Sequence, residues 1–148
     1  MCGIAGLIHR GKSSNVGSEL QLMLQALKHR GPDSTGYALY AENDGKNFIM
    51  RFKVGENVGE GSTSVNEDAS VYDKRKKLVD NMLGELGAKV IKEDQLTPYS
   101  FRYEMEFNDD LMEFSKKIES IESVEILSIG KSLELIKDLG DAATVSER

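Results

Sequence analysis

The chain has 148 residues, 39% of them hydrophobic, and its 19 basic and 25 acidic side chains give a formal net charge of −6. That acidity argues against a nucleic-acid partner, whose phosphates select basic surfaces. One cysteine and two histidines leave no material for a disulfide framework or a zinc site, so neither metal nor cofactor is expected.

No stretch of about 18 apolar residues is present, so no membrane span is expected. Leu7-Ile8 is followed at once by His9, Arg10 and Lys12, which does not fit a secretory leader. The expected location is the cytoplasm.

In chain order, the first element is an apolar strand over Cys2–Ile8, whose glycines allow another backbone close. A helix is predicted over Gly17–Lys28, because Leu20, Met23, Leu24 and Leu27 recur at helical spacing and Gly31-Pro32 stops it. Two strand-like runs, Thr35–Ala41 and Lys46–Lys53, flank Asn43-Asp44-Gly45 and read as a hairpin. Residues 55–64 are polar and glycine-rich, which marks a linker.

Charge changes sign across that linker. Residues 1–54 hold 7 of the 19 basic and 4 of the 25 acidic side chains, so residues 55–148 hold the other 12 and 21. Three segments follow: 1–54, a linker over 55–70, and an insertion over 71–148.

Within the third segment, Val71–Leu86 reads as a helix with Leu78, Met82 and Leu86 on one face and Lys74-Arg75-Lys76-Lys77 as a solvated run. A short strand covers Ala88–Lys92. Tyr99, Phe101, Tyr103, Met105 and Phe107 alternate with polar residues, the clearest two-residue period in the chain. Asn108 then caps a helix to Ile118 with Leu111, Phe114 and Ile118 as its stripe. A strand over Val124–Ile129 and a final helix over Ser132–Leu139, ended by Gly140, complete the pattern. With a strand from 62–70 placed in front, this order is that of a split-βαβ, ferredoxin-like unit.

Two motifs carry chemistry. Cys2 stands directly behind the initiator methionine in Met1-Cys2-Gly3-Ile4-Ala5-Gly6. Removal of Met1 places a thiol and a free α-amine on one residue. An α-amine titrates at about 7.7–8.0 and a free thiol at about 8.5, so the amine is a competent proton acceptor. Taken alone, the cysteine reads equally as a small apolar residue. The second motif is His29-Arg30-Gly31-Pro32-Asp33-Ser34-Thr35-Gly36, a glycine-flanked turn carrying Arg30 and Asp33. Arg30 has a planar fork suited to a carboxylate. Asp33 fits either a pairing with Arg30 or an Asx-type turn, and His29 closes the preceding helix.

Together the two motifs resemble the class II, N-terminal-nucleophile glutamine amidotransferases, and the second is closest in wording to the asparagine-synthase and archaeal-type glutamate-synthase branches. The resemblance implies an αββα sandwich, begun here and left incomplete, and an overall α+β class. It implies that Cys2 attacks the side-chain amide of glutamine, releases ammonia through a thioester, and serves a synthase, with glutamate synthase expected. It assigns Arg30 to the glutamine α-carboxylate or to bracing the strand of Cys2, and makes Asp33 a second substrate-binding residue. The family's Gly-His-x-Arg strand, its Asn-Gly pair and the aspartate that holds the glutamine amino group have no counterpart after Arg30. The expectation is therefore an N-terminal piece of a longer protein with little glutaminase activity alone. The rival expectation is a noncatalytic binding or regulatory module in which Cys2 is inert.

Overall fold

The computed structural model describes residues 2–11, 15–30, 33–40, 45–55 and 68–147. The elements are α1 (Val16–Ala26), a 3-10 turn (Lys28–Arg30), β1 (Ser34–Tyr40), β2 (Phe48–Lys53), α2 (Ala69–Glu85), β3 (Lys89–Thr97), β4 (Ser100–Glu106), α3 (Leu111–Glu119), β5 (Glu125–Gly130), β6 (Leu133–Leu139) and α4 (Ala142–Ser146). The chain is thus mixed helix and sheet. Among the described residues, no helix is long and apolar enough to cross a membrane.

Two units form, residues 1–37 with 136–148, and residues 38–135. The division falls inside β1 and inside β6, not at the expected boundary near residue 54. Residues 56–67 of the expected linker, and most of the strand sought in 62–70, lie outside the described residues.

The larger unit is built on a four-stranded antiparallel sheet in the order β3-β4-β2-β5. Its first strand is β2, which fills the place expected of a strand from 62–70. Side chains of a strand alternate between faces. On one face Met50, Phe52, Phe101, Tyr103 and Met105 are fully or almost fully buried, together with Val79 and Leu83 of α2 and Phe114 and Ile118 of α3. Phe52 stacks on Phe101 at 5.4 Å and meets Tyr103 edge-on at 5.0 Å. The aromatic period of residues 99–107 is therefore core.

The buried face of α2 differs from the expected one. Tyr72, Val79 and Leu83 are buried and Leu78 is exposed, while Met82 and Leu86 of the expected face pack partly buried against the core. The basic run is not uniformly solvated either. Lys76 pairs with Asp80 at 2.8 Å and Glu93 at 2.9 Å and lies over the rings of Phe101 and Tyr103. The methylene stem of lysine can cover aromatic surface while its head stays paired. Asp110, not Asn108, caps α3, accepting from Met112 N at 2.7 Å and Glu113 N at 3.1 Å.

The opposite face of the sheet holds Arg51 and Arg102. Both guanidinium groups converge on Glu134 at the start of β6: Arg51 Nε donates at 2.7 Å, and Arg102 Nε and Nη2 donate at 2.9 Å. Leu135 N donates to Ser128 Oγ at 3.0 Å. These contacts explain why residues 133–139 form a strand where local sequence suggests a helix. A helix is favoured only by propensity, and that preference is worth a few tenths of a kcal/mol per residue. Pairing with β1 and the Arg–Glu–Arg cluster outweigh it.

Nor do β1 and β2 form the expected hairpin. β1 pairs with β6, and β2 is flanked on both edges by β4 and β5, so no edge remains for β1. Asn43 and Asp44 lie outside the described residues.

In the smaller unit, residues 2–10 form no strand. Among the described residues no strand pairs with them, and Ile4 and Ile8 are 93% and 90% exposed. Asn15 caps α1 by accepting from Ser18 N, and Leu20 buries the helix face. The smaller unit's own buried set is Leu20, Tyr37, Ala142 and Val145.

Candidate functional site

A cleft of about 260 Å³ lies wholly within the smaller unit, and Cys2, Arg30 and Asp33 all line it. The remaining walls come from the end of α1, the start of β1 and the turn into α4.

The end of α1 positions the first two residues. Leu27 closes the helix, and Arg30 N donates to Leu27 O at 2.9 Å, which winds the 3-10 turn that carries Arg30. Gly3 packs onto this turn. A Cβ on Gly3 would stand 3.1 Å from Leu27 Cβ and 3.5 Å from Arg30 Cβ, so glycine permits the close approach without pressing on Leu27. That approach delivers the neighbouring Cys2, whose thiol is exposed, to the wall that holds Arg30. Farther along, His9 Nε2 and Glu19 Oε2 lie 3.1 Å apart and tie the N-terminal segment to α1.

Asp33 is held from a distant part of the chain. Its carbonyl accepts from Gly140 N at 3.1 Å, and Thr35 Oγ1 donates to Gly140 O at 2.9 Å. Buried Tyr37 donates its hydroxyl to Ala142 O at 2.6 Å. Gln21 Nε2 donates to Ser146 Oγ at 2.8 Å. Gly140 has φ +117°, a left-handed conformation that other residues resist, and it redirects the chain from β6 into α4.

Asp141 follows. Its Oδ2 accepts from Lys28 Nζ at 2.7 Å, and its Oδ1 caps α4 through Thr144 N at 3.0 Å and Thr144 Oγ1 at 2.9 Å. The Lys28 ammonium, then the Thr144 backbone and hydroxyl donors, hold this carboxyl well below the usual carboxylate range. Gln25 Nε2 approaches the same oxygen at 3.5 Å, and Gln25 Oε1 is buried without a hydrogen-bond partner among the described residues.

The cleft therefore contains a paired couple, Lys28 and Asp141, beside Arg30 and Asp33, whose side chains have no hydrogen-bond or ion-pair partner among the described residues. Among the described residues, one cation and one anion without a partner beside a thiol suit a zwitterionic ligand that presents an electrophilic carbon. Sequence reasoning brought Cys2, Arg30 and Asp33 forward, and the structure brings them together. It missed Lys28, Thr35 and Asp141. The only local signal was Asp141 ahead of Ala142-Ala143-Thr144, a helix-start pattern. Among the described residues, no group of three or more His, Cys, Asp or Glu is placed to hold a metal ion.

No family model matches the chain. The chain is 31% identical over 161 aligned residues to a curated protein of Methanothermobacter thermautotrophicus named "Putative glutamine amidotransferase". The alignment takes in 100% of this chain and 46% of that protein, so the chain spans about half the length of the relative it matches.

Proposed function

We propose that the chain carries the nucleophile and part of the substrate pocket of a class II glutamine amidotransferase. The observation that carries this reading is the convergence of Cys2, Arg30 and Asp33 on one cleft. The similarity to a protein named as a glutamine amidotransferase agrees with it.

In this reading, loss of Met1 frees the α-amine of Cys2, which takes the thiol proton. Arg30 binds the α-carboxylate of glutamine through its fork of donors, and Asp33 serves as a second substrate-binding group beside it. The two anchors fix the side-chain amide against Sγ, and such positioning supplies much of the rate of an otherwise bimolecular attack. The sulfur bonds to the amide carbon, the C–N bond breaks, and ammonia leaves with the proton returned by the amine. Water then cleaves the thioester, so glutamine and water give glutamate and ammonia. The ammonia passes to a synthase, with glutamate synthase the partner that the second motif favours.

The smaller unit belongs to an N-terminal-nucleophile sandwich in this proposal. The β2-α2-β3-β4-α3-β5 unit, with strand order β3-β4-β2-β5, is a ferredoxin-like split-βαβ carried between its parts. The chain alone turns over slowly, because no Asn-Gly pair is present to supply oxyanion donors. Loss of one such donor lowers kcat by about a hundred- to a thousandfold.

The test is labelling of the Met1-free chain with diazo-oxo-norleucine, read by mass spectrometry. Stoichiometric modification at Cys2, prevented by glutamine and by Arg30→Ala, supports the proposal. Labelling that ignores glutamine, or falls elsewhere, refutes it and favours a noncatalytic module with an inert Cys2.

A further inference from the structure

The Lys28–Asp141 pair takes no part in the amide chemistry above, yet it lines the same cleft. Among the described residues, four charged side chains line the space beside Cys2: Lys28 and Arg30 from the 3-10 turn after α1, Asp33 from the turn into β1, and Asp141 from the turn into α4. Lys28 Nζ and Asp141 Oδ2 are 2.7 Å apart, and Thr144 fixes the other oxygen of Asp141 by two further bonds. The pair is unequal in exposure, 51% for Lys28 and 20% for Asp141, so the carboxylate is the anchored member.

We infer that Asp141 is a positioning residue that sets the charge of the cleft: by holding Lys28 in an ion pair, it leaves Arg30 as the cation that meets a ligand carboxylate. This rests on the proposed role of Cys2 and Arg30. A lysine ammonium is a mobile point charge, whereas the arginine fork fixes a carboxylate in one plane. With Lys28 released, the ligand has two competing anchors, and only one of them places the electrophilic carbon against Sγ. A second free cation beside the thiol also stabilises the thiolate, which alters the proton balance between Sγ and the α-amine.

The opposite signs of the two partners make the inference testable. The Met1-free chain is alkylated with iodoacetamide across pH at low ionic strength, and the apparent pKa of Cys2 is read from the rate. Asp141→Asn keeps an Oδ1 for capping Thr144 but frees Lys28, so the thiol pKa falls. Lys28→Met leaves the carboxylate unpaired, so the thiol pKa rises. The double variant returns to the wild-type profile, and Lys28→Arg matches it throughout. Raising the salt concentration shrinks both shifts. Protection of Cys2 by glutamine weakens several-fold in Asp141→Asn and recovers in the double variant.

Single variants that shift in the same direction, with no recovery in the double, show a structural pair and overturn the inference. Superimposable profiles overturn it as well. If glutamine fails to protect wild-type Cys2 while the opposed shifts appear, the charge-setting role stands and the glutamine reading falls.

Discussion

Replacing Glu134 with glutamine removes one charge from the cluster that holds the start of β6 to the sheet of the larger unit. Glu134 accepts three hydrogen bonds from two guanidinium groups, at 2.7, 2.9 and 2.9 Å. The three side chains are only 12–19% exposed. Glutamine keeps one acceptor oxygen, so one bond to Arg102 is lost and the others change from charge-to-charge to charge-to-neutral bonds. Bonds to a charged group contribute roughly 1.5–3 kcal/mol each. Breaking a fully buried ion pair costs about 3–5 kcal/mol, and an exposed one about 0–1. Between those limits, the variant is expected to lose about 2 kcal/mol, or about 10 °C in Tm for a unit of this size.

The same group predicts an acid dependence. The bonds from Arg102, then the one from Arg51, hold the Glu134 carboxyl below its ordinary 4.5. A carboxyl whose folded value is depressed contributes its stability fully above the unfolded value and loses it as pH falls through the folded value. The gap between wild type and Glu134→Gln is therefore constant near neutrality and closes below about pH 4.5. Urea unfolding followed by circular dichroism across pH measures both quantities. A variant within about 0.5 kcal/mol of wild type at pH 7, or a gap unchanged at low pH, refutes the role assigned to the cluster.

Two further substitutions test the packing that builds the site and the core. Gly3→Val adds a branched side chain where a Cβ already meets Leu27 Cβ at 3.1 Å, so the segment bearing Cys2 is displaced from Arg30. The expected result is a loss of glutamine-protected labelling at Cys2 with a Tm close to wild type, measured by mass spectrometry and calorimetry. Phe52→Ala empties a fully buried site that contacts Phe101 and Tyr103. A loss of about 3–5 kcal/mol is expected, read as a lowered urea midpoint with near-ultraviolet signal lost from the aromatic cluster.

Much of the chain follows from local sequence. The helical spacing of Leu20, Leu24 and Leu27 specifies α1, and the alternation from Tyr99 to Phe107 specifies a strand with one aromatic face. Those periods survive folding because each element meets a single core on one side. The pairing of Cys2 with a turn bearing Arg30 and Asp33 was legible too, since both motifs are short and contiguous.

What only tertiary structure decided has a common cause: the contact lies far along the chain, and local preference is weak beside it. Residues 133–139 are a strand because β1 and two arginines receive them. β1 and β2 fail to pair because β4 and β5 already occupy both edges of β2. The cleft is completed by Gly140 and Asp141, more than a hundred residues beyond Asp33 and Lys28. No spacing rule reaches that far, because those contacts depend on which surfaces meet after the elements have formed.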